Sequence, residues 1–277
     1  MKTIIVPVDF SEHSEYALKA AAALAKKRDS EILALHMLDM HVASMNESGS
    51  YHQEQTAFLL QFAKKRFHNF LKKEYLEDVK VTPIIKHFKV FSEVNEVAKK
   101  ENADLIVMGS HGATGLKELF LGSNTEKVIR FSEIPVMIVK NDLENFDFEE
   151  VVYATDFSRE SIGAYLQTKS IVDDLGGKLH VLYVNTPYDN FKTTAEMHQM
   201  AAEFLIAAEG NAEKLKEVSF VCDRTIEKGI LNFANSVGAD LIAVSTHGRK
   251  GLSHVFRGSL SEDIANHATL PILTVKM

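Results

Sequence analysis

Short apolar runs alternate along this chain with longer segments whose apolar residues recur at helical spacing. Thr3–Val8 is almost wholly apolar, which predicts a strand buried on both faces. Ser14–Arg28 is rich in Ala and Leu and predicts a helix, with Ser11 as candidate N-cap and Glu12 and Glu15 near its positive end. Ile32–Leu38 predicts a second strand. Gln53–Tyr75 predicts a long helix, in which Phe58, Phe62, Phe67, Phe70 and Leu71 form a stripe expected to enter the core. Val79–Ile85, Leu105–Met108 and Val136–Val139 read as further strands, with helices over Phe91–Lys100 and Asn124–Phe131. Strand patterns return near 151–155, 179–184, 219–224, 241–245 and 272–275, again with helices between. Such alternation implies α/β architecture, because parallel strands need crossovers that lay helices on both faces of the sheet. Ligands of these sheets bind beyond the carboxyl ends of the strands, where strand order reverses. Pro7–Asp9, Met37–Asp39 and the chain from Gly109 onward are therefore the ends to inspect.

The pattern occurs twice. Val8-Asp9-Phe10-Ser11 returns as Thr155-Asp156-Phe157-Ser158, each after an apolar run. Ser110-His111-Gly112-Ala113-Thr114-Gly115-Leu116 returns as Thr246-His247-Gly248-Arg249-Lys250-Gly251-Leu252. Phe120, Gly122, Ser123 and Glu126 answer to Phe256, Gly258, Ser259 and Glu262, and each copy closes on an X-Pro strand. The offset falls from 147 at Asp9/Asp156 to 136 at Gly112/Gly248, so the first copy carries extra residues in its middle. Two domains, 1–140 and 151–277, joined by an acidic linker at 141–150, are the organisation expected.

Composition adds exclusions. A net charge of -7 argues against duplex nucleic acid or an anionic membrane as the main partner. One cysteine, Cys222, leaves no intrachain disulfide and no cysteine-rich zinc site; its setting in Phe220-Val221-Cys222 predicts a buried thiol. The opening is too short for a signal peptide and no apolar run reaches the ~18–20 residues of a membrane span, so a cytoplasmic location is expected. Lys26-Lys27-Arg28 and Lys64-Lys65-Arg66 read as solvated helix faces or ends.

Candidate chemistry gathers at two strand ends. Gly109-Ser110-His111-Gly112, nine residues, then Gly122-Ser123 follows the fourth strand directly. Phosphate binding needs converging N–H donors and a helix N-terminus, and glycines allow the approach. Gly122-Ser123-Asn124-Thr125 opens the next helix and could hold phosphate oxygens; alternatively the loop glycines only make turns. Asp9 ends the first strand, where it either closes an Asx turn or faces ribose hydroxyls or a metal carried by phosphates. His111 and His247 do not join a catalytic set, and His36, His41 and His52 form no metal motif and read as exposed or core positions. No catalytic and no metal-ligating residues are expected.

With Val-Pro-Val-Asp-Phe-Ser at the start, Met108-Gly109-Ser110-His111-Gly112 after the fourth strand and Gly122-Ser123 nine residues on, the chain resembles a tandem universal stress protein, with two domains spanning essentially all of it. The Gly-x-x-Gly-x9-Gly-[Ser/Thr] pattern resembles the ATP-binding branch of that family. The resemblance implies two Rossmann-like domains of the adenine nucleotide alpha hydrolase-like kind, each a five-stranded parallel sheet of order 3-2-1-4-5 flanked by helices. It implies ATP, or AMP or ADP, over the ends of strands one and four, with magnesium carried on the phosphates. Pro7 would line the adenine pocket, Asp9 would face the ribose, and Met37 would offer its backbone to the adenine edge. Met108, Gly109, His111 and Gly112 would wrap ribose and phosphates, and Gly122, Ser123, Asn124 and Thr125 would cradle the phosphates. In the second copy Asp156, Val184, Gly248, Gly258, Ser259 and Ser261 fit the pattern, but Ala154 replaces Pro7 and Ser245 replaces Gly109, with a Cβ expected against the ligand path. The fifth strands, Val136–Val139 and Ile272–Val275, are short, apolar and unprotected, so the two halves are expected to pair through them as an internal pseudo-dimer; two chains could associate further.

Three functions follow. A nucleotide-binding protein of stress response or regulation, hydrolysing ATP slowly at most, fits the motifs. A scaffold or interaction module without nucleotide fits the degraded second copy. An adenylyl-transferring ligase would carry a glycine-bearing signature after strand one, where this chain reads Asp9-Phe10-Ser11-Glu12-His13.

Overall fold

The computed structural model describes residues 1–38, 49–87, 90–110, 121–143, 146–187, 191–246 and 268–277, side chains excepted at 49–56, 87 and 90–93. The first half contributes β1 (Thr3–Pro7), β2 (Glu31–Leu38), β3 (Val81–His87), β4 (Leu105–Gly109) and β5 (Val136–Val139). The second contributes β6 (Glu150–Ala154), β7 (Lys178–Asn185), β8 (Ser219–Cys222), β9 (Leu241–Thr246) and β10 (Ile272–Lys276). Helices α1 (Glu12–Arg28), α2 (Gly49–Phe70), α3 (Val90–Lys100) and α4 (Ser123–Phe131) belong to the first half, and α5 (Ile162–Leu175), α6 (Thr194–Glu209) and α7 (Ile226–Val237) to the second. All ten strands form one sheet in the order β3-β2-β1-β4-β5-β10-β9-β6-β7-β8. Pairing is parallel within each half, and strand order reverses between β1 and β4 and between β6 and β9.

The halves meet where β5 and β10 pair antiparallel, with Ile138 opposite Ile272, Met137 opposite Leu273 and Val136 opposite Thr274. All six side chains are buried, so neither apolar edge strand is left open. The Thr274 hydroxyl, the one polar group among the six, donates to the Val136 carbonyl at 3.2 Å. Two apolar layers, one on each sheet face, run unbroken through both halves. This is an internal pseudo-dimer in one chain, as the exposed edges in the sequence led us to expect.

Local devices repeat with the sequence. Asp104 Oδ2 accepts the backbone N–H groups of Lys2 and Thr3, and Asp240 Oδ2 accepts those of Glu149 and Glu150, so one carboxylate anchors the start of each leading strand. The acidic stretch between the halves is tied down. Phe146 and Phe148 enter the core, while Lys19 and Lys27 of α1 pair with Asp142 and Asp147. Arg28 reaches Asp174 on α5 at 2.9 Å, so the basic end of α1 holds the second half as well as its own helix terminus.

Two expectations fail. Phe58 and Phe62 are 67% and 53% exposed, although Phe67 of the same stripe is buried. The stripe is wider than the face that α2 turns to the sheet. Cys222 is exposed, because β8 is the outermost strand and its last residue has no neighbour beyond it. Among the described residues, no helix is long and apolar enough to cross a membrane.

Candidate functional site

A cleft of about 180 Å³ opens over the carboxyl ends of β1, β2 and β4, at the reversal of strand order. Pro7, Asp9, Met37, Met108, Gly109, Gly122, Ser123, Asn124 and Thr125 all line it. Of the eleven first-half residues singled out from the sequence, only His111 and Gly112 are missing from that set, and they lie outside the described residues. Val8, Ser14, Leu35 and His36 are the other lining residues among those described.

The floor is shaped by the turn that joins β1 to α1. Asp9 Oδ1 accepts from the Ser11 backbone N–H at 3.0 Å and from its hydroxyl at 2.5 Å, so the Asx turn is real. Ser11 in turn caps α1 by accepting from Ser14 N–H. Phe10, between them, has φ of 65°, a left-handed conformation that costs a non-glycine residue about 1 kcal/mol or more. Its ring compensates by packing edge-on against Phe67 and Phe70, and the Arg66 guanidinium lies 4.4 Å from its centroid. The second half repeats the device, with φ of 56° at Phe157 and its ring against Tyr183 and Phe204.

His36 is the residue that motif reading passed over. Its ring lies 4.5 Å from that of Phe10, and Nδ1 donates to the Val8 carbonyl at 2.7 Å. Burial, with Arg66 nearby, pushes the imidazole below its ordinary value, so it is neutral at pH 7 and the carbonyl partner fixes the proton on Nδ1. Its place next to Met37 at the end of β2 was the available signal.

Gly122 is the N-cap of α4 and, having no side chain, offers no capping bond. The N–H groups of Ser123, Asn124 and Thr125 therefore open a positive helix end onto the cleft. The Thr125 hydroxyl does something else: it is buried and donates to the Gly109 carbonyl at 3.1 Å, tying α4 to β4.

Gly109 has a reason that the motif did not disclose. A Cβ there would meet the His13 carbonyl oxygen at 2.6 Å and its carbonyl carbon at 2.7 Å, both backbone atoms of the first turn of α1. Glycine is required by the helix, which crosses β4 at this point. Ser245, its counterpart, is buried and paired in β9 with Val275, as Gly109 is paired with Val139. There the chain runs through a 3-10 turn, Arg159–Ser161, and α5 starts only at Ile162. The Tyr153 hydroxyl stands beside the Ser245 side chain and 3.5 Å from the Ser161 carbonyl. The side chain at 245 is thus buried beside the Tyr153 hydroxyl near the start of the helix, while residues 247–267, which follow it, lie outside the described residues. Asp156 repeats the turn, its Oδ1 accepting from Ser158 N–H at 2.9 Å, and Val184 is the residue before Asn185, which ends β7. Gly248, Gly258, Ser259 and Ser261 lie outside the described residues.

Comparison with known proteins agrees with this architecture. A universal stress protein of Methanocaldococcus jannaschii is 40% identical over 155 residues, 50% of this chain and 94% of that protein. A universal stress protein of Synechocystis aligns over 100% of both chains at 24% identity. The crystal structure of a universal stress protein from Archaeoglobus fulgidus superposes with a TM-score of 0.69 at 26% identity, covering 99% of this chain and 98% of its own. The model of the universal stress protein family matches twice, over residues 1–140 and again over 147–276, and the chain therefore belongs to that family with one unit in each half.

Proposed function

We propose that the first half binds an adenine nucleotide, ATP or its di- or monophosphate, and that occupancy serves stress response or regulation in the cytoplasm. The observation that carries this reading is the convergence of nine residues, chosen for nucleotide chemistry, on one cleft. The residues present suit the ligand. Pro7, Leu35, Met37 and Met108 are apolar lining that would suit the base, and Asp9 would face the ribose. The uncapped end of α4 supplies N–H donors for phosphates. Asp9 is the sole carboxylate among the described lining residues, so magnesium would ride on the phosphates more than on the protein. The other titratable side chain among the described lining residues, His36, is tied to the Val8 carbonyl, which suits slow hydrolysis at most.

For the second half a scaffold role is the better reading, because β10 closes the seam while Ala154 and Ser245 depart from the binding pattern. On this reading each chain takes one nucleotide. Isothermal titration with ATP, ADP and AMP up to millimolar concentration tests it. A stoichiometry near one is expected. Near two would return nucleotide binding to the second half, and no heat with any of the three would defeat the proposal.

A further inference from the structure

The exposed face of α2 lines neither the nucleotide cleft nor the seam. From Ala57 to Lys73 the chain carries Lys64, Lys65, Arg66, Lys72 and Lys73 and not one Asp or Glu, in a protein whose net charge is -7. Among the described residues Lys64, Lys65 and Lys72 make no ion pair. Phe58 and Phe62, one turn apart on the side of α2 that carries Lys65, are 67% and 53% exposed, with their rings stacked at 6.5 Å. On another side of the helix an apolar groove of about 620 Å³ runs between α2 and β3, lined by Leu60, Phe67, Leu71, Pro83 and Ile85 with Lys64 at its edge. β3 is the outer strand of the sheet, so this face looks away from the other half.

We propose that α2 is a docking surface for an anionic lipid bilayer, on which the helix lies in the interface plane. Basic amphipathic helices bind such surfaces when apolar side chains enter the acyl boundary and Lys or Arg meet the headgroups. Charge complementarity argues for an anionic partner. Shape argues for a bilayer over an acidic protein: the aromatic pair stands out from the helix as a ridge, which a deformable interface admits without a matching cavity. The lysine stems can lie along apolar surface with their ammonium groups at headgroup level. The acidic net charge of the whole chain, which argued against a membrane partner, is an average that conceals this local reversal.

The test is co-sedimentation of the full chain with vesicles of phosphatidylcholine, with and without roughly one-third phosphatidylserine. Binding is expected to the anionic vesicles only and to fall at least tenfold as salt rises from about 0.05 to 0.5 M. Phe58→Ser with Phe62→Ser, and separately Lys64→Glu with Lys65→Glu, are each expected to reduce it at least tenfold. Both pairs are exposed, so thermal unfolding and ATP titration should match the wild type and exclude misfolding. No binding to anionic vesicles, equal binding to neutral ones, or binding that survives both double substitutions overturns the proposal. So does a chain that elutes as a dimer and turns monomeric on Phe58→Ser/Phe62→Ser without binding vesicles, since the ridge would then serve a second copy.

Discussion

Gly109→Ala isolates a steric contact from a ligand contact. The new Cβ would sit 2.6 Å from the His13 carbonyl oxygen, where ordinary contact begins at 3.4 Å, so the first turn of α1 must retreat by about 0.8 Å. The opposing atoms are backbone, and no rotamer change can relieve them. Overpacking of this kind costs about 1–3 kcal/mol. The middle of that range lowers the unfolding midpoint by roughly 4–8 °C in a chain of this size. The same retreat moves the Asp9–Ser14 turn that floors the cleft, and a loss of about tenfold in nucleotide affinity is expected with it. Urea unfolding and calorimetric titration of the purified variant measure the two effects. Ser245→Ala is the control. That hydroxyl is buried without a hydrogen-bond partner of good geometry, so its removal should be close to neutral. A Gly109→Ala chain within about 0.5 kcal/mol of wild type would refute the claim that α1 dictates the glycine.

Gly122→Asp should separate binding from stability. An aspartate is a better N-cap than glycine, so unfolding free energy should hold or rise by about 0.3 kcal/mol, while a carboxylate at the phosphate position abolishes ATP binding in titration. Unchanged affinity would remove α4 from the site. Lys140 makes a pH prediction. Burial pulls its amine down to about 8, and Nζ donates to the Ala268 carbonyl at 2.7 Å. Between pH 8 and the ordinary lysine value near 10.5, the unfolded chain binds the extra proton, so stability rises with pH across that window; below 8 the cost of burying the charge is present in full. Lys140→Met should therefore be the more stable chain at pH 7, and its advantage should shrink as pH climbs through the window in parallel denaturant titrations. An advantage that does not change with pH would show that the amine does not titrate there.

What could be read from the sequence and what could not divide along a physical line. Periodicity reports which residues must leave water and at what spacing. Hence the alternation of strands and helices, the duplicated frame and the apolar fifth strands were all legible, as was the placing of Pro7, Asp9 and Gly109 at strand ends. Periodicity does not report what covers a given face. Phe58 and Phe62 share the spacing of Phe67, but α2 turns only part of that stripe to the sheet. Cys222 sits in an apolar run, but β8 lies at the edge and leaves it open. His36 reads as one histidine among several until β1 places the Val8 carbonyl 2.7 Å from it. Gly109 is the sharpest case. The motif marks it as a glycine for phosphate, and the sequence alone determined that a glycine stands after the fourth strand of the first half and a serine in the second. Only the tertiary structure decided why: α1 crosses β4 too closely for a Cβ, whereas the second half begins its helix a turn later. Such close approaches join residues nearly a hundred positions apart, and no local spacing records them.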